Sequence, residues 1–357
     1  MSHRLEKLRH KLEEQQLEAI LISQAENRRY LSGFDGSAGY LLITAEDQIL
    51  ATDFRYLEQA KRQAPSYSLF VITGAVKDWF PGLISAAKVK HLGFEAEHVT
   101  FSLHRHFSDI ISAAGFSLKL MPTTGLVASL RAIKEPAEIA LITRAAALSD
   151  GAFEHVAEII QPGMSEQDVG WELEKFLRSN GSEAVPFEII VASGPNAALP
   201  HARASTRPIN RGEPIILDLG TRVSGYSSDL SRTIFPGEPE ATFAEIYRLV
   251  LEAQMTAITA IKEGMTGEEA DRTARRVIEK AGYGAAFGHS LGHGIGLAPH
   301  ESPRLGPNAT EVLANGMVFT IEPGIYLSGR GGVRIEDIAV MEKGRLKVIS
   351  QSKKAGV

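Results

Sequence analysis

The chain has 357 residues, 44% hydrophobic and 23% charged, which sets it among globular proteins of about two domains and excludes a mainly disordered, collagenous or coiled-coil chain. Lys and Arg number 38 against 43 Asp and Glu, a net charge of −5, so no basic excess marks a nucleic-acid binder. Cysteine is absent, which removes disulfide scaffolds, thiolate zinc sites and cysteine nucleophiles.

The first residues, MSHRLEKLRHKLEEQQLEA, are charged throughout, without the apolar centre of a secretory signal. Nowhere do about 18 apolar residues run together. A cytoplasmic protein with no membrane partner is therefore expected. Leu5, Leu8 and Leu12 recur at helical spacing. LEAILIS (17–23), AGYLLIT (38–44), SYSLFVI (66–72) and HLGFE (91–95) read as strands, separated by helix-like stretches at 54–64 and 101–114. This alternation predicts an α/β domain with helices packed on a sheet. The turn-forming MPTTG (121–125) marks the expected boundary, giving domains of residues 1–125 and 126–357. The second opens with a helical stretch over 126–160, interrupted near Pro136.

That second part holds an internal repeat. Ile160-Gln161-Pro162-Gly163-Met164-Ser165 aligns with Ile261-Lys262-Glu263-Gly264-Met265-Thr266 at an offset of 101. Ser165 and Thr266 are each followed three residues later by an acid, Asp168 or Glu269, as a capping box requires. Each opens an amphipathic helix that ends at Gly181 or Gly282, and the offset is still 101. Further on, Asp218 and Glu322 end apolar runs that read as buried strands, at an offset of 104, and Asp229 and Glu336 follow at 107. Two such halves packed face to face would gather these four acids in one crevice. Buried together they repel, and without a cation they take up protons. A bound metal resolves the conflict, and four acids can serve two.

Histidines cluster nearby in FGHSLGHGIGLAPHE (287–301), at His289, His293 and His300. His293 lies between Gly292 and Gly294, so no neighbouring side chain crowds a ligand or metal beside it. Oxygen donors with one imidazole suit Mn²⁺, Fe²⁺ or Co²⁺, and zinc less clearly. Gly288-His289-Ser290-Leu291-Gly292 matches a serine-hydrolase nucleophile elbow, but no strand is expected before it and no helix after it, and no histidine follows His300. The match is read as accidental.

These residues resemble a known family. VASGPNAALPHA (191–202), ILDLGTRVSGYSSDLSRT (216–233), GHSLGHGIGLAPHE (288–301), EPGIY (322–326) and GGVRIED (331–337) closely resemble the Xaa-Pro peptidase branch of the pita-bread metallopeptidases, which comprises aminopeptidase P and prolidase. TDFRY (52–56) resembles that branch's N-terminal domain, and the resemblance spans nearly the whole chain. It implies a creatinase-like α/β domain followed by a pita-bread domain with an internal pseudo-two-fold repeat. It also implies Asp218, Asp229, His293, Glu322 and Glu336 as ligands of two divalent metals, Mn²⁺ or Co²⁺ before Zn²⁺ or Fe²⁺. Asp229 and Glu336 would bridge them. A bridging hydroxide would then attack the carbonyl before proline, with Glu322 as proton acceptor. The resemblance places His201 and His300 at the substrate and His289 on the wall of the proline pocket. Arg334, two residues before Glu336, is read as orienting that carboxylate or the substrate. A dipeptide's carboxylate would need a basic residue, for which Arg334 and Arg55 are candidates. Small peptides with proline second are the expected partners, and the family resemblance implies a homodimer. The alternative is a pita-bread protein that binds without catalysis, or a creatinase-like hydrolase. The five intact ligand positions count against it.

Overall fold

In the computed structural model, which describes residues 2–354, the chain divides into two compact units after Arg131. The N-terminal unit runs α1 (Ser2–Glu14), β1 (Ala19–Ile22), α2 (Ala25–Ser32), β2 (Tyr40–Thr44), β3 (Gln48–Asp53), α3 (Leu57–Gln63), β4 (Ser68–Ile72), α4 (Val76–Ala87), β5 (His91–Glu95), α5 (Phe101–Ala113) and β6 (Lys119–Thr123). Its strands form one mixed sheet in the order β4-β3-β2-β1-β5-β6. Leu21, Leu42 and Leu92 of the sheet pack with Phe80 of α4 and Phe107 of α5, whose rings stack at 4.2 Å.

The four expected strands are all present, and four elements differ from the sequence reading, the first being α2, which had no counterpart there. The strand β3 and the helix α4 had no counterpart there; α4 holds Pro81 and Gly82, both helix breakers by composition. Met121, Pro122 and Thr123 of the expected boundary turn belong to strand β6. This strand lies at a sheet edge, where a residue without an N–H is tolerated.

The division itself falls in a short helix, α6 (Ala128–Ala132). Beyond it come α7 (Pro136–Ile159), α8 (Glu166–Ser179), β7 (Ile190–Ser193), β8 (Ile215–Leu219), β9 (Arg222–Val223), β10 (Tyr226–Ser227), β11 (Leu230–Ile234), α9 (Ala241–Ala260) and α10 (Gly267–Lys280). The remainder is strand: β12 (Gly292–Gly294), β13 (Glu301–Leu305), β14 (Val318–Ile321), β15 (Gly324–Leu327), β16 (Gly331–Arg334), β17 (Asp337–Glu342) and β18 (Arg345–Val348). The interruption near Pro136 is a helix start. Pro136 occupies the first turn of α7, where its missing N–H costs nothing, and Glu138 accepts from the Glu135 N–H at 2.9 Å.

The repeat is structural. Helices α7 and α8 pack on β7, β8 and β11 around Phe153, Val169, Leu173 and Leu217. Helices α9 and α10 pack on the second sheet around Tyr247, Ala274, Phe319 and Ile321. The Ser165 hydroxyl accepts from the Asp168 N–H, and the Thr266 hydroxyl accepts from the Glu269 N–H, at 3.1 and 3.2 Å. Both acids return the bond to the cap residue's own N–H. Gly181 and Gly282 follow the two helices with φ of 100° and 87°.

Ser165→Ala and Thr266→Ala are each expected to lower stability by about 1 kcal/mol, because each leaves an N-terminal N–H without its acceptor. The caps serve separate cores, so in urea unfolding the double variant should equal the sum of the singles to within roughly 0.5 kcal/mol.

Candidate metal centre

The C-terminal unit has a cavity of about 540 Å³ lined by His201, Asp218, Asp229, His289, His293, His300, Glu322, Arg334 and Glu336, together with Phe187, Ser290 and Arg304. Nine of the residues singled out in the sequence face this one space. Asp218 projects from β8, and the chain returns through a tight hairpin turned at Ser224-Gly225, both at positive φ, to bring Asp229 to the start of β11. The second half supplies Glu322 just after β14 and Glu336 just before β17, adjacent antiparallel strands of one sheet. His293 sits in the middle of β12.

The glycines flanking His293 also serve the packing of the strands around it. A Cβ on Gly292 would stand 2.0 Å from the Thr320 carbonyl oxygen, and one on Gly294 would stand 2.1 Å from that of Ser302. Their lack of a Cβ lets β13 and β14 close on β12 around the histidine.

One donor atom each from Asp218, Asp229 and Glu336 lie within 4.8 Å of one another, and so do atoms from His293, Glu322 and Glu336. A third such set joins Asp229, His293 and His300. The His293 Nε2 lies 3.4 Å from Glu322 Oε1 and 3.6 Å from Asp229 Oδ2. Burial, and then the charges of Glu336, Asp218 and Glu322, hold the Asp229 carboxyl well above the usual carboxylate range. Burial with Glu322 and Asp218 does the same to Glu336, and burial pushes Glu322 up to about 7. Burial also lowers His293 and His300, which favours the neutral imidazole that a metal ligand needs at His293. Asp218 Oδ1 and Glu336 Oε1 are buried with no hydrogen-bond partner among the described residues. Buried oxygens are almost always satisfied. Orphaned oxygens, crowded acids and a neutral imidazole together fit divalent cations.

Arg334 holds the opposite side of the site. Its guanidinium donates to Asp218 Oδ2 at 2.6 Å, Ser231 Oγ at 2.8 Å, the Tyr326 hydroxyl at 2.9 Å and the Pro200 carbonyl at 3.3 Å. So occupied, it orients Asp218 rather than Glu336 and has little left for a substrate carboxylate. Tyr326, which the sequence reading did not single out, passes the interaction on. Its hydroxyl donates to His289 Nε2 at 2.9 Å, because His289 Nδ1 must donate to the Ser290 carbonyl at 2.8 Å. This fixes the His289 tautomer, and burial lowers its pKa to about 4. The one advance signal for Tyr326 was its place in EPGIY. Arg55, the other candidate, belongs to the N-terminal unit and forks onto Asp53 at 2.8–2.9 Å. Arg304 was also missed. It faces the cavity with its guanidinium bonded only to Ser290 Oγ and the Pro307 carbonyl, and no carboxylate pairs with it among the described residues. No described helix is long and apolar enough to cross a membrane.

Residues 140–343 match the model of metallopeptidase family M24, and residues 4–133 match the creatinase/prolidase N-terminal domain. The fold is that of a solved Xaa-Pro dipeptidase from Bacillus anthracis, with a TM-score of 0.95 at 42% identity over 99% of this chain and 98% of that one. An Xaa-Pro dipeptidase from Pyrococcus horikoshii is 36% identical over 99% of this chain and 98% of its own length. A Thermotoga maritima X-Pro aminopeptidase superposes with a TM-score of 0.89 at 35% identity, over 98% of both chains. The duplicated core, its carboxylate–imidazole cavity and the matched α/β unit before it agree: this chain belongs to metallopeptidase family M24 and has a creatinase/prolidase N-terminal domain.

Proposed function

We propose that the chain is an Xaa-Pro peptidase that holds two divalent cations through Asp218, Asp229, His293, Glu322 and Glu336. The observation that carries this reading is the pair of orphaned, buried carboxylate oxygens on Asp218 and Glu336 within one crowded cluster. Of the three donor triads, the one with Asp218 is joined to the two with His293 through Asp229 and Glu336, which supports these acids as the shared ligands. When bound, the cations would polarise the scissile carbonyl and acidify a water toward neutrality.

The chain's own groups do the rest. Glu322 takes the proton of the attacking water. Thr320 Oγ donates to Glu322 Oε1 at 3.0 Å and accepts from the His293 N–H at 3.1 Å, fixing base and imidazole together. His201 and His300 face the substrate and steady the developing oxyanion or hand a proton to the leaving nitrogen. An Xaa-Pro bond has no N–H, so its pocket needs apolar walls and no acceptor. Phe187, Ile190 and the His289 ring, its Nε2 already covered by Tyr326, supply such walls. The names of the similar proteins, Xaa-Pro dipeptidase and X-Pro aminopeptidase, support the same specificity.

Arg304 favours dipeptides as substrates. Among the described residues it is the cavity arginine without a carboxylate partner, so it offers a fork to the C-terminal carboxylate of a bound Xaa-Pro.

With Mn²⁺ or Co²⁺ added, the chain should cleave Xaa-Pro peptides, and chelation should abolish turnover. Glu322→Gln should cut kcat by roughly 100-fold or more. Turnover that survives in metal-stripped protein contradicts the reading. Arg304→Ala should raise KM for an Xaa-Pro dipeptide by about tenfold or more while changing that for the Xaa-Pro amide little. Equal changes would remove Arg304 from carboxylate recognition.

The raised carboxyls also set a pH dependence. Folded metal-free protein retains protons that the unfolded chain releases, Glu322 titrating near 7 instead of 4.5. Stability of the stripped protein should therefore fall as pH rises through that window, with the penalty complete above it. Mn²⁺ must displace those protons, so the rise in Tm it produces should be larger at pH 8 than at pH 5. An equal rise at both values would contradict the crowding of charges.

A further inference from the structure

Two buried acids that the mechanism does not use occupy related places in the repeat. Glu166, the first residue of α8, is fully buried. Its Oε1 accepts from the Ser193 N–H at 2.8 Å, Ser193 Oγ at 2.7 Å and Asn196 Nδ2 at 3.0 Å. Its Oε2 accepts from the Ser205 N–H at 3.0 Å, Ser205 Oγ at 2.6 Å and again Asn196 Nδ2 at 3.0 Å. The carboxylate thus clamps both ends of a loop, residues 193–205, and His201 lies between the anchors.

Asp271 in α10 does the same for the other half. Its Oδ1 accepts from the Leu291 N–H at 3.0 Å, and both oxygens hold the Arg275 guanidinium, at 2.6 and 2.8 Å. Arg275 in turn donates to the carbonyls of Phe287 and His289, both at 2.8 Å, and lies over the Phe287 ring. The clamped segment, 287–291, carries His289.

At the repeat offset of 101, Glu166 corresponds to Gly267 and Asp271 to Gly170. The two acids therefore sit one helical turn apart on equivalent helices and share a face. A side chain at Gly267 has no room, since its Cβ would stand 2.1 Å from the Arg304 carbonyl oxygen. The second half anchors its loop from the next turn instead.

We infer that Glu166 and the Asp271–Arg275 pair are positioning residues, each fixing one histidine of the substrate cavity, His201 and His289 respectively. The inference rests on the peptidase reading for its effect on turnover, but not for its effect on the two imidazoles. Glu166→Gln turns one oxygen into an NH₂ that faces the N–H and O–H donors of Ser193 or Ser205, so no rotamer satisfies both ends of the loop. Asp271→Asn presents the same conflict to Leu291 and Arg275.

The test combines kinetics with histidine-selective ¹⁵N NMR on the full chain, wild type and variants, with Co²⁺ absorption to follow metal loading. Glu166→Gln should shift the His201 ring resonances and leave His289 in place; Asp271→Asn should do the reverse. Each should lower kcat/KM about tenfold or more with unchanged Co²⁺ loading, because misplacing a substrate-contacting group is costly. If either variant does not fold, Ser205→Ala and Arg275→Lys replace them; these loosen the same clamps without setting donor against donor. A folded variant that moves both histidines alike, or neither, overturns the inference. Wild-type protein that cleaves no Xaa-Pro peptide overturns the peptidase reading instead, and the selective NMR shifts then still decide the positioning.

Discussion

Four carboxylates confined to one buried crevice are the constraint on which the rest of this molecule depends. In a low-dielectric interior such charges repel too strongly for all to ionise unaided. The protein accepts that cost. It holds Asp229, Glu336 and Glu322 well above their usual range and leaves oxygens of Asp218 and Glu336 without a partner. An apolar or fully hydrogen-bonded cluster of the same shape would be more stable, so the arrangement makes sense as preparation for the cations proposed above.

The surrounding structure keeps that costly arrangement from collapsing. Arg334, itself buried, is the one guanidinium among the described residues that reaches a carboxylate of the cluster, and it binds Asp218. Below Glu336, Arg232 bonds its backbone carbonyl and pairs with Asp337 at 2.7 Å, both side chains fully buried. Lys354 adds a second cation to Asp337 at 2.7 Å. These pairs fix the backbone on which the donors stand without neutralising the donors. Tyr326 extends the network from Arg334 to His289, linking the acidic end of the cavity to its apolar end. The duplicated scaffold explains how so many groups converge: each half contributes two acids from equivalent strand ends.

The sequence revealed what depends on local chemistry and on repetition. The caps at Ser165 and Thr266 and the paired strand-ending acids recur at nearly constant offsets, His293 stands out by its flanking glycines, and the structure brings nine of the candidates into one cavity. What it hid was decided by tertiary context. Pro122 signals a turn until β6 proves to be an edge strand, and α4 forms across Pro81 because its Trp79, Phe80, Leu83 and Ile84 are buried against the sheet. Arg334 could be linked to a carboxylate by proximity in sequence, but its partner is Asp218, 116 residues away, rather than Glu336. Tyr326, Arg304, Glu166 and Asp271 act through contacts between separate elements, which no spacing along the chain encodes.

The claim that this cavity exists to hold cations is tested most directly by anomalous diffraction from crystals grown at neutral pH with Mn²⁺. Two peaks are predicted, both enclosed by Asp218, Asp229, His293, Glu322 and Glu336, with the free oxygens of Asp218 and Glu336 turned toward them. A map with no peak among these donors, and the crevice otherwise unchanged, would contradict the account.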